Sequence, residues 1–314
     1  VGALAGLQGL GAPAAAAAVD NKIDGKLIAE GVKEEVRLQA LALKGECGQA
    51  PCLAVVIIGE RKDSQVYVRN KVAACEKCGI VSVTNALPED VTQEQASAAV
   101  RALNEDPSVH AILVQLPLPP HLDSVELLDL ISHRKDVDGF HPLNAGLLAT
   151  RGREPLAVPC TPAGIMEMLR VHSVDLRGKR ALVLGRSSIV GTPISLLLLQ
   201  ADASVQVMHS HTPLEEVIEA VGNADVVVSA VGKAGWVKGA WIKEGAVVID
   251  VGINAIDDAS RKLGYRLVGD VEFAEAAKRA RLITPVPGGV GPMTIAMLMR
   301  NTLRLASLHL RPPA

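Results

Sequence analysis

Apolar and polar positions along the chain change period again and again, and the changes mark out alternating elements. Ile28, Val32 and Val36 recur every fourth residue behind Asp24, the spacing of one helical face with a capping side chain ahead of it, and turn residues over 45–51 end that helix. Residues 52–58 form an unbroken apolar run of strand length. A polar stretch over 59–64 leads into a helix reaching Gly79, and a strand is predicted near 80–86. Thr92 opens a helix to Leu103, the aliphatic run 109–115 is a strand, and 125–131 is helical.

Between 135 and 162 the pattern loosens around Gly139, Pro142, Gly146, Gly152, Pro155 and Pro159, so a domain boundary is placed at the end of that stretch. Thr161 and Pro162 then read as an N-cap followed by proline at the first helical position. Strands are predicted at 180–184, 204–208, 225–230, 246–251 and 281–284. Helices stand at 193–199, after a capping box over 212–215, and from 293 to 310. Strands alternating with helices imply parallel sheets, hence an α/β chain of two domains, 20–160 and 161–292, behind a leader over 1–19.

At 314 residues both domains can bury real cores. A formal net charge of −2 argues against nucleic acid or an anionic membrane surface as the main partner, and 2% aromatic residues leave no platform for stacking many bases. Small molecules fit better. Five cysteines are an odd set that suits a reducing compartment. Cys75 and Cys78, with Cys47 and Cys52, would be four thiolates for zinc, but the first pair sits on a helical pattern and ordinary thiols are the default, so no metal is assigned. The uncharged, alanine-rich start suits an organelle transit remnant, although Arg and Ser are missing from it. No apolar run reaches the length of a membrane span, and the mature protein is expected to be soluble.

Two groups of residues carry candidate chemistry. In the second domain, Gly185-Arg-Ser-Ser-Ile-Val-Gly191 joins a strand to a helix start, where backbone N–H groups suit a pyrophosphate. The next strand ends in His209-Ser210-His211-Thr212 with no carboxylate, and with Arg186 nearby that favours a ribose 2′-phosphate, hence NADP over NAD. A solvated strand end is the alternative for the two histidines. In the first domain Tyr67 and Lys71 share a helical face at i, i+4, a spacing that a packed tyrosine and a solvated lysine also satisfy. Gln115 leaves the end of a strand as a polar group needing a partner, and Lys71 is a candidate for it. Asp138 precedes a glycine turn and can bind an amidine-like ring edge, with Asp136 beside it as a turn former. The rigid, thin loop Pro285-Val-Pro-Gly-Gly-Val-Gly-Pro292 lets a flat ligand approach the backbone, or is merely a stiff connection. A short-chain dehydrogenase is excluded by order, because its Tyr-x-x-x-Lys pair follows the glycine turn whereas Tyr67 precedes Gly185.

Taken together, Tyr67-Val-Arg-Asn-Lys71, Val114-Gln-Leu-Pro-Leu-Pro119, Lys135-Asp-Val-Asp-Gly139, the 185–191 turn and the 285–292 loop resemble the bifunctional methylenetetrahydrofolate dehydrogenase/cyclohydrolase family over about 23–310. Segments 151–155 and 264–270 look most like plant and algal members, which favours a plastid, with mitochondrion and cytosol as alternatives. The resemblance implies a folate-binding catalytic domain, a Rossmann-like NADP domain and a C-terminal helix, 293–314, that packs back on the first domain. It implies a homodimer, tetrahydrofolate one-carbon derivatives as substrates, and Lys71 as general acid/base tuned by Gln115. Tyr67 would stack on the aminobenzoate, Asp138 anchor the pterin, and Val114, Leu116, Pro287, Gly288 and Gly291 line the substrate site. For the cofactor it implies Gly185, Arg186, Ser187, Ile189, Val190, Gly191, His209, Ser210, Ala230, Val231, Gly232, Gly252, Ile253 and Thr294. A monofunctional dehydrogenase and a non-enzymatic NADP- or folate-binding module are the competing readings.

Overall fold

The computed structural model describes residues 21–261 and 264–311; the leader expected over 1–19 lies outside the described residues. Helix α1 (Gly25–Cys47) starts where the Asp24 carboxylate accepts from the amides of Lys26 and Leu27 at 3.0 Å each, and ends at Gly48, whose φ of 75° releases the chain. Strand β1 (Cys52–Ile58) is buried at every position, as a central strand must be. It pairs in parallel with β2 (Val81–Leu87) and β3 (Ala111–Val114), in the order β2-β1-β3. The crossovers are α2 (Lys62–Lys77) and α3 (Gln93–Glu105), the latter opened by a reciprocal capping box of Thr92 and Gln95. Helix α4 (Ser124–Asp129) follows β3.

The stretch read as irregular contains a further helix, α5 (Pro142–Ala149), capped by His141 Nδ1, which accepts from the Leu143 amide at 3.1 Å. Eight residues with few polar positions show no period, which hid it. Asp136, the expected turn former, anchors its start by accepting from the His141 amide at 2.8 Å and from Asn144 at 2.9 Å. The next helix, α6 (Cys160–Val171), begins earlier than predicted, with Pro159 at the cap and no side-chain cap bond. Thr161 therefore does not cap it; its hydroxyl pairs instead with that of Thr294 at 2.9 Å. Pro162 is tolerated because first-turn N–H groups lack intrahelical partners anyway.

The second sheet is wholly parallel. Its strands are β4 (Arg180–Leu184), β5 (Ser204–Met208), β6 (Val226–Ser229), β7 (Val247–Asp250) and, beyond an antiparallel hairpin of β8 (Asn254–Asp257) and β9 (Tyr265–Val268), β10 (Leu282–Ile283). Their order is β10-β7-β6-β4-β5. Helices α7 (Gly191–Gln200), α8 (Leu214–Asn223) and α9 (Phe273–Arg279) connect them. The capping box expected over 212–215 does not form: Pro213 holds the cap, and the Thr212 hydroxyl accepts from the His209 amide at 3.1 Å, drawn into the turn at the end of β5. Residues 21–23, counted with the first domain from the sequence, add a parallel bridge outside β10, with the Ile23 amide on Ile283 O at 2.8 Å.

Helix α10 (Val290–Leu310) leaves the second domain and packs against α1 and α6. Gly164 allows that approach, since a Cβ there would stand 2.8 Å from the Met293 Cβ. Met293, Leu298, Met299 and Leu305 are buried in a cluster that also takes in α1 and the faces of both sheets. Each such side chain contributes about 1.5–3 kcal/mol on burial, so α10 ties the two domains into one core.

Candidate active site

Lys71 projects from the middle of α2 toward the carboxyl end of β3, and its Nζ donates to Gln115 Oε1 at 2.8 Å. The strand register explains the meeting: the Gln115 amide still bonds to Val56 O at 2.9 Å, while its side chain has left the ladder. Gln115 Nε2 donates to Leu116 O at 2.6 Å, so the oxygen is aimed at the lysine. Val114 is buried just before it, and the Leu116–Pro117 peptide bond after it is cis. Tyr67, one turn earlier on the same helix, is 49% exposed.

Asp138 completes the cluster. Gly139 takes φ of 70° directly after it, and a Cβ there would press on Ala157 O at 2.7 Å, so the turn requires glycine. Burial pushes the Asp138 carboxyl up to about 6, against the pull of Lys71 and with a push from Asp136. Burial lowers Lys71 from its ordinary value, opposed by Asp138 and Cys160. The Cys160 thiol, 4.0 Å from Asp138 Oδ1, is itself driven well upward by burial and stays neutral, so Asp138 is the effective anion beside the lysine. An ammonium depressed by desolvation, held by a neutral amide and close to a carboxylate of shifted acidity is equipped to trade protons near neutral pH.

A cavity of about 200 Å³ lies at the carboxyl ends of β4, β5 and β6 and is lined by Gly185, Arg186, Met208, His209, Ser210, Ala230, Val231, Lys233 and Trp236, among others. Gly185 takes φ of 116°; a Cβ on it would strike Ala230 O, and one on Gly191 would strike Gly185 O. The turn is thus drawn tightly over the strand ends. Ser187 stabilises it by accepting from the amides of Val190 and Gly191 at 3.2 and 3.3 Å. His209 Nδ1 accepts from the His211 amide at 3.3 Å, which leaves the Nε2–H to donate. With Arg186, Lys233 and Ser210 on the lining and no carboxylate among those residues, the donor set fits a phosphorylated ribose.

The remaining predicted residues sit around these two centres. Ile189 lines a second cavity with Phe140, Pro159 and Leu196 between the domains, and Arg186 borders both cavities. Gly232 is exposed, Gly252 is buried, and Ile253 is 50% exposed beside Gly291. Gly288 has φ of 109°, the Val286–Pro287 bond is cis, and Gly289 lies so close to Gly25 that a Cβ on Gly25 would collide with Gly289 O. Thr294, one turn into α10 from Gly291, bonds to Thr161, the neighbour of Cys160. The starts of α6 and α10 therefore bring the glycine–proline loop toward the Lys71–Asp138 cluster.

Sequence reasoning missed Cys160, Lys233 and Trp236. The last two follow the end of β6 in Gly232-Lys-Ala-Gly-Trp236, and a cation after a strand end in a dinucleotide fold was the available signal. Cys75 and Cys78 pack in the main core with thiols pushed up to about 12 and about 11 by burial, and among the described residues no His, Cys, Asp or Glu cluster could hold a metal. No helix among the described residues is long and apolar enough to cross a membrane.

Comparison with known proteins covers both domains. A family model described as Tetrahydrofolate dehydrogenase/cyclohydrolase, catalytic domain, matches residues 23–138, and its NAD(P)-binding counterpart matches 159–310. Bifunctional protein FolD 4, chloroplastic, from Arabidopsis thaliana is 54% identical over 284 residues, spanning 90% of this chain and 78% of that protein. Bifunctional protein FolD 1, mitochondrial, from the same plant is 53% identical over 284 residues, spanning 90% and 80%. The crystal structure of Trypanosoma brucei N5,N10-methylenetetrahydrofolate dehydrogenase-cyclohydrolase complexed with NADP cofactor and inhibitor superposes with a TM-score of 0.88 at 48% identity, covering 92% of this chain and 97% of that one. With both domains matched and the paired strand-end sites in place, the chain belongs to the tetrahydrofolate dehydrogenase/cyclohydrolase family.

Proposed function

We propose that this chain is a bifunctional folate enzyme: it oxidises 5,10-methylenetetrahydrofolate to the 5,10-methenyl form with NADP and hydrolyses that product to 10-formyltetrahydrofolate. The observation that carries the reading is the Lys71–Gln115 hydrogen bond at 2.8 Å beside Asp138, which gives the cluster a proton-transfer group as well as a binding surface. NADP, when bound, supplies the acceptor for the hydride. Gly185, Arg186, Ser187, Ile189, Val190, Gly191, His209, Ser210, Ala230, Val231, Gly232, Gly252, Ile253 and Thr294 are assigned to hold it, and Lys233 joins them on the cavity wall.

For the hydrolytic step, neutral Lys71 takes a proton from water as the water oxygen bonds to the methenyl carbon. The C–N5 bond then breaks, and the lysine returns the proton to N5 while the formyl oxygen loses its own to solvent. Gln115 holds the amine, Asp138 anchors the pterin edge, Tyr67 stacks on the aminobenzoate, and Val114, Leu116, Pro287, Gly288 and Gly291 shape the pocket. The catalytic unit comprises 20–160 with α10, and the cofactor unit 161–292.

The protein acts as a homodimer through its cofactor domains, a reading supported by β5 standing at the outer end of its sheet with Val207 exposed. Nucleic acid and membranes are not partners, consistent with the −2 charge. The plastid is its compartment, supported by the alanine-rich start and the likeness to the chloroplastic relative, with mitochondrion, given the equal likeness to the mitochondrial relative, and cytosol as the alternatives.

The test is to assay both steps for wild type and Lys71→Met. Hydrolysis should fall by about 10²–10⁴ in the variant while NADP binding persists. Wild-type protein that oxidises the methylene substrate without accelerating hydrolysis would leave a monofunctional dehydrogenase, and one that does neither would leave a binding module.

A further inference from the structure

Asp250 and Asp270 are almost wholly enclosed, yet the scheme above uses neither. Asp270 accepts four hydrogen bonds: from the amides of Val231 and Gly232 on Oδ2 at 2.7 and 3.1 Å, and from the Lys233 amide and Asn254 Nδ2 on Oδ1 at 2.9 and 3.0 Å. Three consecutive amides thus converge on one carboxylate. Residues 231–233 lie outside any strand, and Val231 and Lys233 line the cavity assigned to the dinucleotide. Asp270 is held in turn by Asp250, whose Oδ1 accepts from the amides of Asp270 and Gly252 at 2.9 and 3.0 Å and whose Oδ2 accepts from Val271 at 2.8 Å. Two glycines are given over to this packing: a Cβ on Gly252 would overlap the Asp270 carboxylate, and one on Gly269 that of Asp250. The Asp250 amide donates to Thr284 Oγ1 at 2.7 Å, and Thr284 directly precedes the glycine–proline loop.

We propose that Asp270, braced by Asp250, is a positioning residue for the dinucleotide: its carboxylate fixes the 231–233 segment as one wall of the cofactor cavity. The inference rests on the NADP assignment above. An uncharged apolar pocket wall would not need two enclosed carboxylates, whereas a segment without ladder partners needs an acceptor for each of its amides. An ionised carboxylate supplies four acceptor positions in one place.

Asp270→Asn keeps the shape but turns one acceptor into a donor facing amide N–H groups. NADP affinity, measured by titration calorimetry on the full chain, should weaken by about tenfold or more. Methenyl-folate hydrolysis measured without cofactor should stay within about twofold, because the Lys71 cluster does not depend on that wall. Backbone amides 231–233 should also exchange hydrogen faster than in wild type. Unchanged NADP affinity, or hydrolysis falling in step with it, would overturn the proposal. If Asp270→Asn does not fold, Asn254→Ala removes one of the four donors and should weaken NADP binding by about threefold with faster exchange at 231–233; no change in either would overturn it equally. A wild type that does not bind NADP would instead overturn the cofactor assignment, and this inference with it.

Discussion

Lys71 Nζ and Gln115 Oε1 meet at 2.8 Å although one belongs to a helix and the other, 44 residues later, directly follows the last residue of a strand. A neutral amide holds the ammonium without favouring its charged form as a carboxylate would. Gln115→Glu should therefore raise the pKa of Lys71 and move the alkaline rise of methenyl-folate hydrolysis to higher pH by about one unit or more. The pH–rate profile of the two proteins checks this; coincident profiles would remove Gln115 from the tuning of the lysine.

Asp138 makes a stability prediction whose direction follows from its shift. Folding raises its carboxyl to about 6, above the roughly 3.9 of an unfolded chain, so the folded state holds that proton more tightly. The contribution is fully present below about pH 4 and is lost as pH rises through about 6. Urea unfolding over pH 4–7 should show Asp138→Asn with a shallower decline than wild type, and parallel curves would contradict the shift.

Cofactor choice should follow the charge on the cavity wall. Ser210→Asp places a carboxylate where a 2′-phosphate is assigned, and the ratio of kcat/KM for NADP over NAD should drop by about tenfold or more. Steady-state kinetics with each cofactor at matched concentration decides it, and an unchanged ratio would mean that the phosphate is read elsewhere.

Gly25 carries the tightest of the backbone contacts to the glycine–proline loop. A methyl group there meets Gly289 O, so Gly25→Ala should cost about 1–3 kcal/mol in stability by overpacking and should also raise the folate KM by displacing the loop. Thermal unfolding together with folate kinetics tests both parts. A stable variant with normal KM would show that α1 and the loop can separate freely.

Much of this architecture was legible because buried parallel strands are written as continuous aliphatic runs: the 52–58 strand matches the observed β1 end to end and is buried at every position. The Lys71–Gln115 pair was legible for the complementary reason, a polar side chain placed at the close of such a run. Elements whose apolar positions are few left no period to read. Helix α5 falls among prolines and glycines, and the β8–β9 hairpin offers only four residues on each side. Of the three threonines expected to open helices, Thr92 caps α3, whereas the other two were claimed by contacts that propensity does not encode, Thr161 by Thr294 and Thr212 by His209. The Asp250–Asp270 contact and the bridge from residue 22 to residue 283 depend on pairings that only the folded chain creates.

The return of α10 onto α1 and α6 sets an order of events during biosynthesis. Asn301 Nδ2 reaches back to Val137 O at 2.9 Å and Val158 O at 2.8 Å, so the turn bearing Asp138 is secured by a residue translated after the whole dinucleotide lobe. A nascent polypeptide halted before residue 290 would leave the inner stripe of its first helix bare, an invitation to chaperones. The catalytic lobe, although first out of the ribosome, must wait for its partner before it can close.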